Sequence, residues 1–338
     1  MLARRASVEV GAAARHDVAM LKRLLLGCLV LPLLAFGCDG GDDAADAAGA
    51  NGNGGKTFTI GMSQANLAEP YRAQMNADIA EAAKEHPNIQ IIFKDAQKDS
   101  LKQRTHVEEF ISQGVDLILI SPNEPAPLKE PVEAAMDAGI PVVVIDRRLP
   151  EGTRYTSFIG ADNYRIGLAA GKWIVEQLGG EGNVVELKGM MSTDPAIQRN
   201  RGFREAIAGT NINVIFDVDM RWDQSQAKSE MESALSRFAD IDLVYAHNDP
   251  GAYGAFLAAQ QAGRAQEMKF VGIDALPSEG VAYVRQGVLD ASFEYPTGGA
   301  LAVETAVKIL QGEEVEKEIV LESVFYTKDN VESGGAPV

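Results

Sequence analysis

The feature that most constrains the fold of this 338-residue chain is an internal echo, in which the strand pattern of the first half returns in the second. Asp116-Leu117-Ile118-Leu119-Ile120-Ser121 is answered by Asp242-Leu243-Val244-Tyr245-Ala246-His247-Asn248. Val143-Val144-Ile145-Asp146 is answered by Val271-Gly272-Ile273-Asp274, and the opening strand at Phe58 by Asn183-Val184-Val185-Glu186. All three offsets are about 127 residues, which two lobes of one architecture explain better than chance similarity among Val/Ile-rich strands.

The periodicity of each half points to α/β structure. Strands are predicted at Phe58–Met62, Ile89–Phe93, Leu117–Ser121, Val142–Asp146, Val184–Leu187, Val214–Val218, Leu243–Ala246 and Phe270–Asp274. Their near-continuous apolar runs suit parallel sheets covered on both faces. Amphipathic helices are predicted between them, among them Tyr71–His86, Leu101–Gln113, Pro131–Ala138, Arg165–Leu178 and Asp223–Phe238. Asp99 or Ser100 would cap the second and Asp223 the last. The expected fold is two similar doubly wound parallel-sheet lobes. Ligands of open α/β sheets sit beyond the carboxyl ends of the strands. Ser121, Asp146, Asn248 and Asp274, all at such ends, are therefore expected to face one another across a cleft.

Composition narrows the function. A formal charge of −17 argues against nucleic acid, which needs a basic face. Four histidines and two cysteines leave little for a transition-metal site, and neither a zinc-protease motif nor a calcium loop is present. No cofactor is expected. A phosphate-loop reading of Gly49 to Lys56-Thr57 fails, because no strand precedes it and Ala50 stands where Gly is required. No G-x-S-x-G elbow is present, so serine-hydrolase chemistry has no anchor.

The amino-terminal region carries an export pattern. Lys22 and Arg23 precede an apolar run from Leu24 to Gly37 that stops at Cys38. At about fourteen residues the run fits a signal-peptide core and is too short to span a bilayer. The acidic, Gly/Ala/Asn-rich stretch that follows reads as a flexible tether. Together these segments resemble a bacterial lipoprotein, with Cys38 as the acylated thiol; ordinary cleavage without a lipid and a retained anchor are the alternatives. Ala35 stands where that family usually has Leu. Met20-Leu21-Lys22-Arg23 would make a natural start. The expected organisation is a signal over 1–38, a linker over 39–56, a first lobe over 57–161 plus 295–323, and a second lobe over 162–294 plus 324–338. The other cysteine, Cys28, lies inside the signal, so the exported part would hold neither free thiol nor disulfide. Its roughly 280 residues can bury a core large enough to stand on burial alone.

Across residues 57–330 the chain resembles the periplasmic sugar-binding proteins of the ribose and galactose type, the receptors of ABC importers. The resemblance is carried by Ile60-Gly61-Met62-Ser63-Gln64 leading to Glu69-Pro70-Tyr71-Arg72, and by Gly114-Val115-Asp116 with Ser121-Pro122. It continues through Ala138-Gly139-Ile140-Pro141 into Val142–Arg147, then Asp162-Asn163, Arg199 ahead of Gly202-Phe203, Tyr245–Asp249, Gly272-Ile273-Asp274 and Glu294. The early Tyr-Arg pair, Val184–Gly189 and Tyr245–Asp249 look most like the galactofuranose-binding branch. The resemblance implies the type I periplasmic-binding-protein fold, with a three-segment hinge near Ala161, Tyr295 and Val324.

A sugar presents hydroxyls that both donate and accept, so the site needs rigid planar groups of both kinds. Asp146 and Asp274 would accept; Arg147, Arg199 and Asn248 would donate, each Arg oriented by a neighbouring carboxylate. An ion pair at a strand end, or turn capping by Asn248 and Asp274, are the structural alternatives. Tyr71 and Trp222 would pack on the ring of the sugar. Trp173, mid-helix on an apolar face, reads as core.

Glu69, Arg72 and Glu294 depart from the ribose-binding branch and put ribose in doubt. Arg72, Arg147 and Arg199 face Glu69, Asp146, Asp274 and Glu294, a nearly balanced set that favours a neutral sugar or polyol over a phosphate or sugar acid. An acid/base pair of a glycosidase is disfavoured. The expected function is a monomeric receptor, lipid-anchored in the periplasm or on the outer face of the cell membrane. It would bind galactofuranose, galactose or a related neutral monosaccharide and present its closed form to an ABC permease and its ATPase. A chemoreceptor or sensor kinase as the reader of closure is the alternative.

Overall fold

The computed structural model describes residues 56–338; the expected signal, Cys38 and all but the last residue of the linker lie outside the described residues. Two sheets organise the chain. The first contains β1 (Phe58–Gln64), β2 (Ile89–Asp95), β3 (Leu117–Ser121), β4 (Val142–Ile145), β5 (Ser157–Ala161) and β11 (Glu318–Leu321), in the order β2-β1-β3-β4-β5-β11. The second contains β6 (Glu181–Lys188), β7 (Asn211–Asp219), β8 (Leu243–Ala246), β9 (Lys269–Asp274), β10 (Ala291–Glu294), β12 (Val324–Thr327) and β13 (Ala336–Pro337), in the order β7-β6-β8-β9-β10-β12-β13. The first five strands of each lobe thus have the same order and are all parallel; β12 and β13 run antiparallel at the edge.

Parallel strands with both faces covered explain the apolar runs. Every residue of Leu117–Ser121 and Val142–Ile145 is buried, each large aliphatic side chain contributing about 1.5–3 kcal/mol on burial. In the first lobe, α1 (Pro70–Ala83) and α9 (Gly299–Leu310) cover one face, while α2 (Ser100–Gln113) and α3 (Lys129–Asp137) cover the other. In the second, α4 (Asn163–Leu178) and α5 (Asp194–Ala206) cover one face, while α6 (Gln224–Arg237), α7 (Asp249–Gln261) and α8 (Gly280–Gln286) cover the other. Asp99 accepts from the N–H groups of Leu101 and Lys102, and Asp223 from that of Gln226, as caps. Trp173 is half-buried and packs against the core.

The internal echo extends to the backbone. Gln97-Lys98 after β2 and Arg221-Trp222 after β7 all have positive φ. Asp95 Oδ1 accepts from the Gln97 N–H and Asp219 Oδ1 from the Arg221 N–H, each at 2.8 Å. Asp146 after β4 (φ 70°) is matched by Asp274 and Ala275 at the end of β9 (φ 124° and 49°).

The chain passes between the lobes between β5 and α4, between β10 and α9, and between β11 and β12. β5 and β10–β13 are not anticipated by the pattern reading. β5 and β10 each carry few large apolar residues, and β11–β13 are edge segments defined by their pairing partners.

Candidate functional site

The carboxyl ends of both sheets face one cleft, in which the lining side chains leave about 30 Å³ of free space. That is far below the roughly 300–1,000 Å³ usual for small-molecule pockets, so the walls stand close together here and a sugar would enter by their parting. The first lobe contributes Glu69, Tyr71, Arg72, Asp146 and Arg147; the second contributes Arg199, Trp222, Asn248 and Asp274. Tyr295, at the hinge, and Pro70, Pro195 and Pro250 complete the lining.

Arg72 organises the first wall. Asn66 folds the chain ahead of α1 by accepting from the Ala68 and Glu69 N–H groups, both at 3.0 Å, and Pro70 starts the helix. This sets Arg72 Nε 3.0 Å from Glu69 Oε2. Its Nη1 donates to Gln64 Oε1 (3.0 Å) and Ser121 Oγ (2.6 Å), and its Nη2 to Asp146 Oδ2 (2.9 Å). Burial alone would weaken the hold of Arg72 on its proton, but Asp146 and Glu69 outweigh it and the net shift is upward. Burial likewise opposes ionisation of Glu69, yet Arg72, Arg147 and Lys98 bring its carboxyl below the ordinary value.

Arg147 and Arg199 depart from the expectation that each guanidinium is oriented by a carboxylate. Arg147 Nη1 donates to the carbonyls of Asn123 (2.6 Å) and Pro122 (3.4 Å), whereas its Nε stands 3.9 Å from Asp146. Burial, followed by the neighbouring Arg72, pushes its pKa down to about 10. Arg199 Nε donates to Asn163 Oδ1 at 2.9 Å and its Nη1 to the His247 carbonyl, with Asp274 Oδ1 3.9 Å away. Carbonyl oxygens after the strand ends hold both forks without neutralising them, which leaves their charge to the cleft.

Trp222 lies between these two arginines, its ring 5.6 Å from the Arg147 guanidinium carbon and 5.4 Å from that of Arg199. Its far edge rests on Gly189, where a Cβ would come within 2.2 Å of the ring. Asn248 serves both readings at once: it lines the cleft, and it caps α7 by accepting from Gly251 N–H (3.0 Å) while donating to the Trp222 carbonyl (3.2 Å). Tyr71 donates to the Pro296 carbonyl at 3.2 Å and packs on Tyr295 at 5.5 Å between ring centres.

Two predicted site residues lie off the cleft. Ser121 sits behind its wall, fully buried, bridging Arg72 and Asp146. Glu294 lines a neighbouring groove with Gln74, Asp78 and Thr297 that meets the cleft at Asp274 and Tyr295, and burial pushes its carboxyl above the ordinary value. Tyr295 takes the place in the cleft instead, because successive side chains of an extended segment point to opposite sides. The Tyr295 hydroxyl donates to the Asp146 carbonyl (3.0 Å) and accepts from Asn163 Nδ2 (3.3 Å), tying the two lobes. Ser192 Oγ donates to Glu124 Oε1 at 3.1 Å, a further bond between the lobes. With Glu294 elsewhere, three arginines face three carboxylates, and the cleft carries no net charge when all are ionised. Burial pushes the Asp274 carboxyl well up, Arg199 pulling the other way.

Among the described residues, no group of three His, Cys, Asp or Glu is disposed to hold a metal ion, and no helix is long and apolar enough to cross a membrane.

Residues 60–314 match the family model described as "Periplasmic binding protein domain". The ribose import binding protein RbsB of Bacillus subtilis is 33% identical over 271 residues, covering 80% of this chain and 87% of that protein. The galactofuranose-binding protein YtfQ of Escherichia coli is 34% identical over 213 residues, 61% of this chain and 67% of that one. Among solved structures, the fructose-binding periplasmic domain of the hybrid two-component system BT1754 superposes with a TM-score of 0.79 at 41% identity, covering 82% of this chain and 92% of that one.

Proposed function

The chain belongs to the periplasmic binding protein family, and we propose that it is a lipid-anchored receptor that binds one neutral monosaccharide between its lobes and delivers it to an ABC importer. The observation that carries the ligand class is the charge balance of the cleft. Three guanidiniums are matched one for one by carboxyl groups, which supplies donors and acceptors for hydroxyls and leaves no cluster of unmatched cations for a phosphate or acid. Trp222 and Tyr71 supply flat surfaces for the faces of the ring. The three relatives above are named for ribose, galactofuranose and fructose, all neutral monosaccharides, which supports this class. Galactofuranose, galactose and closely related neutral sugars are the ligands proposed for this chain, contacted by Glu69, Tyr71, Arg72, Asp146, Arg147, Arg199, Trp222, Asn248, Asp274 and Tyr295. Contacts made by both lobes exist only when the cleft is shut, so the sugar would favour closure by that differential affinity.

A second reading has the closed form read by a sensor rather than a permease. It is favoured by the fructose-binding relative, which is the periplasmic domain of a two-component system. Both readings place the same sugar in the same cleft.

A thermal-shift screen of the purified protein tests the ligand class. A sugar at a hundred times its Kd should raise the melting temperature by about 5 °C, from about 2.7 kcal/mol of linkage at a few tenths of a kcal/mol per degree. Shifts with sugar phosphates or sugar acids but with no neutral sugar would overturn the reading. Loss of membrane retention in a Cys38→Ser chain tests the anchor.

A further inference from the structure

Asp249 is the last residue of the Tyr245–Asp249 motif and lies outside the cleft lining. It is fully buried at the first position of α7, and its two carboxylate oxygens meet different elements. Oδ2 accepts from the Ala275 N–H at 2.7 Å, just beyond β9, and Oδ1 accepts from Ser292 Oγ at 2.7 Å on β10. The fit around it admits only glycine at two further positions. A Cβ on Gly272 would come within 2.2 Å of Oδ1, and one on Gly280 within 2.0 Å of Oδ2.

The turn it grips is unusual. Asp274 and Ala275 both have positive φ, 124° and 49°, conformations that cost non-glycine residues on the order of 1–3 kcal/mol each unless the surroundings impose them. Asp274 is the cleft acceptor, and Arg199 at 3.9 Å is too far to fasten it by a hydrogen bond. Its aim is therefore set by the backbone of that turn.

We propose that Asp249 is a positioning residue for binding, its buried carboxylate clamping the Asp274-Ala275 turn through the Ala275 amide and so aiming Asp274 at the ligand. This rests on the reading of the cleft as the sugar site. The surroundings of Asp249 do not make the carboxylate a comfortable structural choice. Arg199 of α5 is its counter-charge, but Asp274, Glu279 ahead of α8 and Tyr283 of α8 also face it. Burial pushes its carboxyl up to about 7, Glu279 adding to the rise while the Ser292 and Ala275 hydrogen bonds oppose it. An acid kept under such conditions, with both oxygens committed, points to a positional task.

The test is a calorimetric titration of the full chain with D-galactose, D-fructose and methyl β-D-galactofuranoside, together with amide hydrogen exchange at Ala275. Asp249→Ala should weaken binding about ten- to a hundredfold, the cost of leaving the buried Ala275 amide without its acceptor. Asp249→Asn, which can accept from Ala275 and donate to Ser292, should restore affinity to within about threefold. In the Asp274→Ala background, Asp249→Ala should cost little more, since the clamp then has nothing to aim. A general packing role would instead make the two losses multiply. Undiminished binding in Asp249→Ala, or multiplied losses in the double variant, would overturn the proposal. Should the wild type bind none of the three sugars, the reading of the cleft fails by itself. The exchange measurement still decides the clamp: faster Ala275 exchange in Asp249→Ala, restored in Asp249→Asn, upholds it, and unchanged exchange refutes it.

Discussion

Replacing Asp146 probes the joint between fold and site, because this carboxylate has two duties. It accepts from Arg72 Nη2 at 2.9 Å and from Ser121 Oγ at 3.3 Å, both buried, and it faces the cleft. In Asp146→Asn the shape is kept, and Asn tolerates φ 70° better than most residues. What is lost is charge. A hydrogen bond to a charged group is worth about 1.5–3 kcal/mol, and Arg72 retains Glu69 at 3.0 Å, so stability should fall by about that amount. With a urea slope of about 3 kcal/mol per M, the unfolding midpoint should drop by roughly 0.5–1 M. Sugar affinity, read by calorimetry, should fall about ten- to a hundredfold as a ligand hydroxyl loses its ionised acceptor. Asp146→Ala should be worse, with a buried guanidinium stripped of a partner and a further cost of about 1–2 kcal/mol for Ala in the left-handed region. Asp146→Gly should recover the backbone part of that cost. An Asp146→Asn protein with wild-type affinity and an unmoved midpoint would refute the two-duty account, and equal stability of the Ala and Gly variants would refute the backbone part of it.

Two further outcomes are expected. Tyr295→Phe removes the donation to the Asp146 carbonyl and the acceptance from Asn163 while keeping the ring on Arg199 at 4.8 Å; at about 1 kcal/mol per bond it should weaken sugar binding about tenfold or somewhat more, and small-angle scattering should show the ligand-free protein more open, an unchanged profile and affinity speaking against the tie. Asp249, pushed up to about 7 from an ordinary 3.8, holds its proton in the folded chain where the unfolded chain has released it, so its contribution is fully present below about pH 4 and is lost as pH rises towards 7; chemical unfolding across that range should fall more steeply for wild type than for Asp249→Asn, and parallel curves would count against the shift.

Much of this arrangement is legible in the sequence because strand ends in parallel sheets are where polar residues interrupt apolar runs. Asp146 and Asp274 close such runs, Arg147 and Asn248 stand two residues beyond one, and all four line the cleft. Trp222 is visible for the same reason, between β7 and the cap of α6 at Asp223. The choice between Glu294 and Tyr295 was not legible in the same way. β10 is only four residues with one large apolar side chain, so its facing rests on pairing with β9 and β12 rather than on any alternation of its own. Ser121 shows the opposite limit: its place at a strand end is plain, but its depth behind Arg72 depends on a side chain from α1. The partners of Arg147 and Arg199 are main-chain carbonyls, which every residue possesses and no motif marks.

The place of β11 has a consequence for how such a chain comes to be folded. It completes the first sheet by pairing with β5 from Phe158 to Ala161, yet the whole of β6–β10 intervenes in the sequence. A growing chain, or one clipped before Glu318, would leave the amide edge of β5 bare, and exposed edges recruit other strands. The first lobe to be synthesised is thus among the last to be finished, with a long loop to close before its final strand arrives. The order of translation and the order of completion run in opposite senses, and it is the carboxy-terminal segment that covers the β5 edge of the amino-terminal half.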